Sequence, residues 1–229
     1  MYTMNRTNEV EFMPTKPTGG EVYKRLQRLK KKCVGRPLFA EDYQMYFQEQ
    51  FLEFGIEVTT HPYGDDIGKN QITANGYFSS YDLEEEEDTD IELVLVLNSE
   101  DQLITINNDD WNFLEHQVTQ TLEHEMIHRE QATQRLGMEI MPVFTQHMDE
   151  EQKRIVYLSD PDEIDAYAND VALDLLCHYT YMGAYSRMRE YKKIRQDESP
   201  VFCEYIDTFG WNSMTVRVLV KKVLKRLET

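Results

Sequence analysis

Apolar residues recur along this chain with two different periods, and the change of period organises it. Tyr43, Tyr46, Phe47, Phe51 and Phe54 fall at helical spacing, which predicts a helix over Glu41 to Phe54 stopped by Gly55. Glu21 to Lys32 upstream reads as a shorter, basic helix. From Ile56 the period drops to two. Ile56, Val58 and Thr60 alternate, and Ile91, Leu93, Leu95 and Leu97 share one face of the strongest strand. Ile72 to Tyr81 reads as a strand interrupted by Gly76, where a turn or bulge is expected. Asn98 to Asp101 reads as a turn, and Gln102 to Ile106 as a short strand.

From Asp109 the pattern is helical again. Asn108 or Asp109 can cap a helix that runs to about Arg135 and stops at Gly137. Ser159-Asp160-Pro161 announces another helix, running to about Met182 with Gly183 as its stop. Tyr185 to Gln196 and Trp211 to Leu227 complete a helical C-terminal portion over residues 183–229. Residues 138–149 fit neither period. Residues 1–20 are polar and rich in Pro and Gly, and read as a loose arm. The expectation is a single α+β domain over residues 1–229, with a small, mostly antiparallel sheet followed by helices.

Composition narrows the function classes. A chain of 229 residues with 41% hydrophobic residues can bury a core without staples. A formal net charge of −18 disfavours nucleic acid and anionic membranes as partners and favours solubility. No apolar run is long enough to span a bilayer; the purest, Leu93 to Leu97, is far too short. The first residues show no secretory signal. The three cysteines, Cys33, Cys177 and Cys203, form no close pair and fit reduced thiols in a cytoplasmic setting. The acidic run Glu84 to Asp88 reads as a solvated loop, with attraction of basic substrates as its alternative. The basic stretch Arg217 to Arg226 carries an apolar face, so it reads as a helix covering the core.

One motif carries chemistry. Residues 124–128 read His-Glu-Met-Ile-His. Two histidines at i and i+4 project to the same side of a helix, so both imidazoles can reach one ion at about 2.0–2.1 Å. Glu125 can then touch a water bound to that ion. Trp111, Leu114, Val118 and Leu122 form the buried stripe of the same helix, and the histidines fall at its edge, where a cleft would be. A catalytic zinc site needs a third protein ligand. A histidine six residues beyond the second is absent, since Gln134 stands there. Glu163, near the start of the later helix, is the leading candidate. Its competing role is a capping box with Asp160. His147, His178, Cys177 and Glu130 are the other possible ligands. Ala166 and Ala168 would allow the Glu163 helix to pack close to the histidine helix.

HExxH followed by a helix carrying Glu-x-x-Ala resembles the gluzincin branch of zinc metallopeptidases, over about residues 89–180. The overall character is also similar to uncharacterised peptidases of bacteriophages, which would place the chain in host cytoplasm or a virion. The resemblance implies a zincin-like fold and Zn2+ held by His124, His128 and Glu163. It implies Glu125 as general base and a peptide or protein as substrate. It also implies a strand at the edge of the cleft that pairs with substrate backbone, here Ile91 to Leu97 or, second, Gln102 to Ile106. Family members add a Tyr or His that stabilises the oxyanion, for which Tyr167, His147 and Tyr157 are available. Glu123, Asp165 and Asp170 could orient the histidines. The rival readings are a zinc-binding structural or interaction protein without turnover, and a DNA-associated zinc protease or non-peptidase hydrolase. A deformylase is excluded because no suitable cysteine ligand motif is present.

Overall fold

A computed structural model describes residues 19–61, 67–79, 90–98, 103–135, 144–145 and 147–228. The acidic run Glu84 to Asp88, nearly all of the N-terminal arm, Gln102 and the expected stop at Gly137 lie outside these residues. The described chain is α+β, with eight α-helices and one three-stranded sheet. Helices α1 (Gly19–Cys33) and α2 (Ala40–Phe51) come first. A single 3-10 turn, Leu52–Phe54, follows and ends at Gly55, whose φ of 70° needs the left-handed region that glycine enters freely.

Strands β1 (Ile56–His61), β2 (Ile72–Phe78) and β3 (Ile91–Leu97) form a sheet in the order β1-β3-β2. β1 runs parallel to β3 and β2 antiparallel to it, so the sheet is mixed and not mostly antiparallel. β3 is the central strand. Leu93, Val94 and Leu95 are all buried, which means both of its faces are covered. Its backbone is paired on both sides and has no edge to offer a substrate. That corrects the expectation for Ile91 to Leu97, because an apolar run without polar alternation marks a centre strand. The alternative segment reduces to a single bridge between Ile104 and Leu38. The edge strand nearest the long helix is β2.

Gly76 makes no bulge. The β2–β3 register continues unbroken through Gly76 opposite Leu93. Its role is close approach. A Cβ at residue 76 would lie 2.5 Å from Thr121 Cγ2 and 2.9 Å from Glu125 Cγ, so the strand's backbone rests directly on the motif helix.

That helix, α3 (Asn108–Gln134), is capped by Asn107, whose side chain accepts from Asp109 N and Asp110 N; the cap lies one residue before the expected position. Trp111, Leu114, Val118 and Leu122 join α1, α2 and the sheet in the first apolar cluster. Arg129 ties α3 to the sheet, donating to Phe54 O at 2.9 Å, to Gly55 O at 3.2 Å and to the Asp90 carboxylate.

The C-terminal helices divide differently from the expectation. Helix α4 (Glu150–Ser159) opens with a capping box, Asp149 and Gln152. Helix α5 (Pro161–His178) ends before Met182. Thr180 caps the next helix, α6 (Tyr181–Arg189), by accepting from Gly183 N, so Gly183 lies in a first turn instead of at a helix end. Ser199-Pro200 starts α7 (Pro200–Phe209), and Ser213 caps α8 (Met214–Leu227), leaving Trp211 in the turn before it. In each case a Ser, Thr or Asp accepting from the first turn set the boundary. Helices α4 to α8 share a second apolar cluster, into which Ala168 packs. Among the described residues no helix is long and apolar enough to cross a membrane.

The tight seat of β2 on α3 gives a prediction. Gly76→Ala gains a few tenths of a kcal/mol from a stiffer unfolded chain. It must also push the strand off Thr121, an overpacking cost of about 1–3 kcal/mol, and this larger effect decides the sign. Denaturant unfolding should show a net loss of stability; an unchanged or raised midpoint contradicts the close-approach role.

Candidate functional site

The two apolar clusters meet along a polar seam between α3 and α5. On α3 the residues facing α5 recur about once per turn: His116, Gln120, His124 and His128. On α5 the matching face carries Glu163, Tyr167, Asp170 and Asp174. His124 Nδ1 lies 2.7 Å from Asp170 Oδ2. Gln120 Nε2 donates to Asp170 O and to Asp174 Oδ1, each at 3.2 Å. Asn169 donates to Glu123 at 2.9 Å, and Arg135 forks onto Asp162 at the other end.

The motif histidines are oriented from behind. Gln131 Nε2 donates to Asp162 O at 3.3 Å, which fixes its amide so that Oε1 faces His128 Nδ1 at 3.0 Å. Asp170 and Gln131 Oε1 are both acceptors, so each Nδ1 carries its proton and each Nε2 presents a lone pair. Those two Nε2 atoms stand 3.2 Å apart. Glu163 brings its carboxylate to the same point, Oε2 lying 3.7 Å from His124 Nε2 and Oε1 3.6 Å from His128 Nε2. These separations are too long for hydrogen bonds. His124 and Glu163 are each only 8% exposed, and Glu163 Oε2 has no hydrogen-bond partner. With both imidazoles neutral, four electron-rich atoms thus converge in one place, and Glu163 Oε2 meets no donor there. A cation fits there, and the ligand atoms of His124, His128 and Glu163 lie within 4.8 Å of one another.

The electrostatics ask for the same positive charge. Burial alone would depress His124, but the Asp170 and Glu163 carboxylates outweigh it and raise its pKa to about 10. Burial opposes ionisation of Glu163, yet the two imidazoles hold its carboxyl down at about 2. Glu125 differs. Burial dominates and pushes its carboxyl above the ordinary carboxylate range, only partly opposed by the histidines.

The remaining sequence candidates separate by position. Asp160 caps α5 alone, accepting from Asp162 N at 2.8 Å, while Glu163 turns to the imidazoles. His147 and His178 are exposed elsewhere, Cys177 faces His116, and Glu130 lies on an exposed face beside Gln134. Asp165 pairs with Lys222 and Arg226 of α8, so of the three carboxylates considered only Asp170 orients a motif histidine. Tyr167 meets the His124 ring edge to face, with ring centroids 4.8 Å apart, and packs against Tyr157 and Tyr205.

Two adjoining hollows, of about 280 Å³ and about 370 Å³, make one groove along β2. Both are lined by Gly76, Tyr77, Glu125 and Tyr157; His128 and Glu163 open into the first, His124 and Tyr167 into the second. Sequence reasoning missed Gln131 and the part played by β2. Gln131 was signalled by its place one turn beyond His128, and Asp170 by its place two turns beyond Glu163. Neither a protein-family model, nor a curated protein, nor a solved structure matches this chain.

The charge balance predicts how the metal-free protein responds to pH. The folded pKa of His124, about 10, lies above its ordinary 6.5. The stability it contributes is therefore complete below pH 6.5 and is lost as pH rises to about 10. His116 behaves alike, so the readout is a difference. Thermal melts across this window should fall further in chelator than with added zinc, because a bound cation replaces the proton. Equal falls in both conditions contradict a cation site here.

Proposed function

We propose that this chain is a zinc-dependent peptidase of the gluzincin kind, with a zincin-like core made by the sheet, α3 and α5. One observation carries the reading: two oriented imidazole lone pairs and a buried carboxylate from a separate helix converge beside a half-buried glutamate that opens onto a groove. His124, His128 and Glu163 hold the ion. Zinc in such a set polarises a carbonyl and lowers the pKa of a coordinated water towards 7. Glu125, its own pKa raised by burial, accepts a proton from the attacking water and hands it to the leaving amine. Asp170 and Gln131 keep the imidazole protons on Nδ1. Tyr157 and Tyr167 supply hydroxyls on the groove wall, and Tyr157 borders both halves of it, so it is the better placed to steady an oxyanion.

The groove's form suits an extended chain. Among the described residues β2 pairs only with β3, which leaves its other edge open above Glu125. An extended peptide can add to that edge by backbone hydrogen bonds. The exposed Tyr77 and Phe144 are available to its side chains.

Purified protein should carry about one zinc per chain. Glu125→Gln should retain that zinc and lose peptide hydrolysis by a factor of about 10²–10⁴. Turnover equal to the parent's removes Glu125 from the mechanism. A zinc-loaded parent inert on a peptide library points instead to a metal-binding protein without turnover.

Glu163→Ala isolates the third ligand, since Asp160 already caps α5 without it. The variant should bind zinc more weakly by orders of magnitude, and chelator should lower the parent's melting temperature far more than the variant's. Equal chelator responses with zinc retained in both would falsify the ligand role.

A further inference from the structure

Two turns before His124 on the same seam, a second group of reactive side chains comes together. Cys177, in the last turn of α5, places Sγ 3.3 Å from His116 Nδ1. The other ring nitrogen, Nε2, lies 3.1 Å from Asp174 Oδ1. Asp174 is 6% exposed and is itself held in place. Its Oδ2 accepts from the fully buried Ser199 Oγ at 2.7 Å, and Oδ1 also accepts from Gln120 Nε2 at 3.2 Å. Cys177 is exposed to solvent. The order thiol, imidazole, fixed carboxylate is that of a nucleophile, its base and the group that orients the base. The sulfur and the carboxylate lie on opposite edges of the ring, which suits proton transfer and not chelation.

We propose that Cys177, His116 and Asp174 form a reactive-thiol site that takes low-molecular-weight disulfides by thiol–disulfide exchange. His116 Nδ1 accepts the thiol proton while Nε2–H donates to Asp174. The thiolate attacks one sulfur of R–S–S–R. The Cys177 S–S bond forms, the R–S–S–R bond breaks, and the second sulfur leaves as RS⁻ and takes up the proton. The disulfide is the oxidant, so no further co-reactant is needed. The carboxyl end of α5 works against a thiolate this close to it, and His116 is the group that offsets it. Hydrogen bonds to Asp174 and then to Cys177 raise the His116 pKa to about 10, against an opposing contribution from burial. Those two are the titratable groups that α5 turns to it, while Glu115, next on α3, is engaged by Gln27 and Trp111. The other thiols are built differently. Burial lifts Cys33 to about 12, and burial and nearby carboxylates raise Cys203. This site stands independently of the metal reading.

The test exposes the purified full chain to glutathione disulfide near neutral pH and follows each cysteine by peptide mass spectrometry. Cys177 should form the mixed disulfide at least about tenfold faster than Cys203, and His116→Gln should slow it about tenfold while leaving Cys203 unchanged. Equal rates at Cys177 in parent and variant, or at Cys177 and Cys203 in the parent, overturn the proposal. Should the variant loosen the fold, Cys33 becomes reactive and reports it. The parent's alkylation by iodoacetamide at neutral pH then decides: Cys177 should react at least about tenfold faster than Cys203. Equal rates overturn the proposal.

Discussion

The hydrogen-bonded seam between α3 and α5 is the constraint on which the rest of this structure depends. Each apolar cluster is served by its own helices, the first by α1, α2, α3 and the sheet, the second by α4 to α8. Hydrophobic burial has no direction, so it can bring these two bodies together without fixing the rotation of one helix on the other. The seam fixes it. Buried carboxylates at Asp170 and Asp174 are costly without donors, and in the observed register His124 of α3 meets the first while His116 and Gln120 meet the second. In that register Glu163 arrives at His124 and His128.

The same register explains why so much polarity is tolerated inside the protein. Along the seam nearly every buried group is satisfied by a neighbour one turn away on the facing helix. Asp170 Oδ1 and Glu163 Oε2 are left without a partner, the second of them where the two Nε2 atoms meet. A cluster of lone pairs without a donor is costly unless a proton or a cation occupies it. The raised pKa of His124 and the depressed pKa of Glu163 are two expressions of that cost.

The sheet contributes position more than bulk. β3, covered on both faces, anchors β2, and Gly76 lets β2 lie on α3 at backbone distance. Arg129 joins the other end of α3 to the loops entering β1 and β3. One strand edge is thereby held against Glu125, and a groove opens between that edge and Tyr157. A side chain at residue 76 would separate the two.

The chain's local patterns determined the elements that rest on local rules. The apolar stripe of α3, the strands with their alternation and the Pro161 helix start were all legible, because periodicity and capping act over a few residues. The HExxH pair was legible for the same reason: one helical turn sets its geometry. Boundaries between C-terminal helices were misread where Gly183 outweighed Thr180, since a cap is recognised by the hydrogen bond it accepts and not by residue type alone. Strand order, the place of β2 beside α3 and the reason for Gly76 could not be read, because each depends on what packs against the strand from far along the chain. The choice of Asp170 over Glu123 and Asp165 as the partner of His124, and the meeting of Cys177 with His116, were decided by the rotation of α5 against α3. No local pattern encodes that rotation. It is set by the pairings across the seam, His124 with Asp170 and both His116 and Gln120 with Asp174.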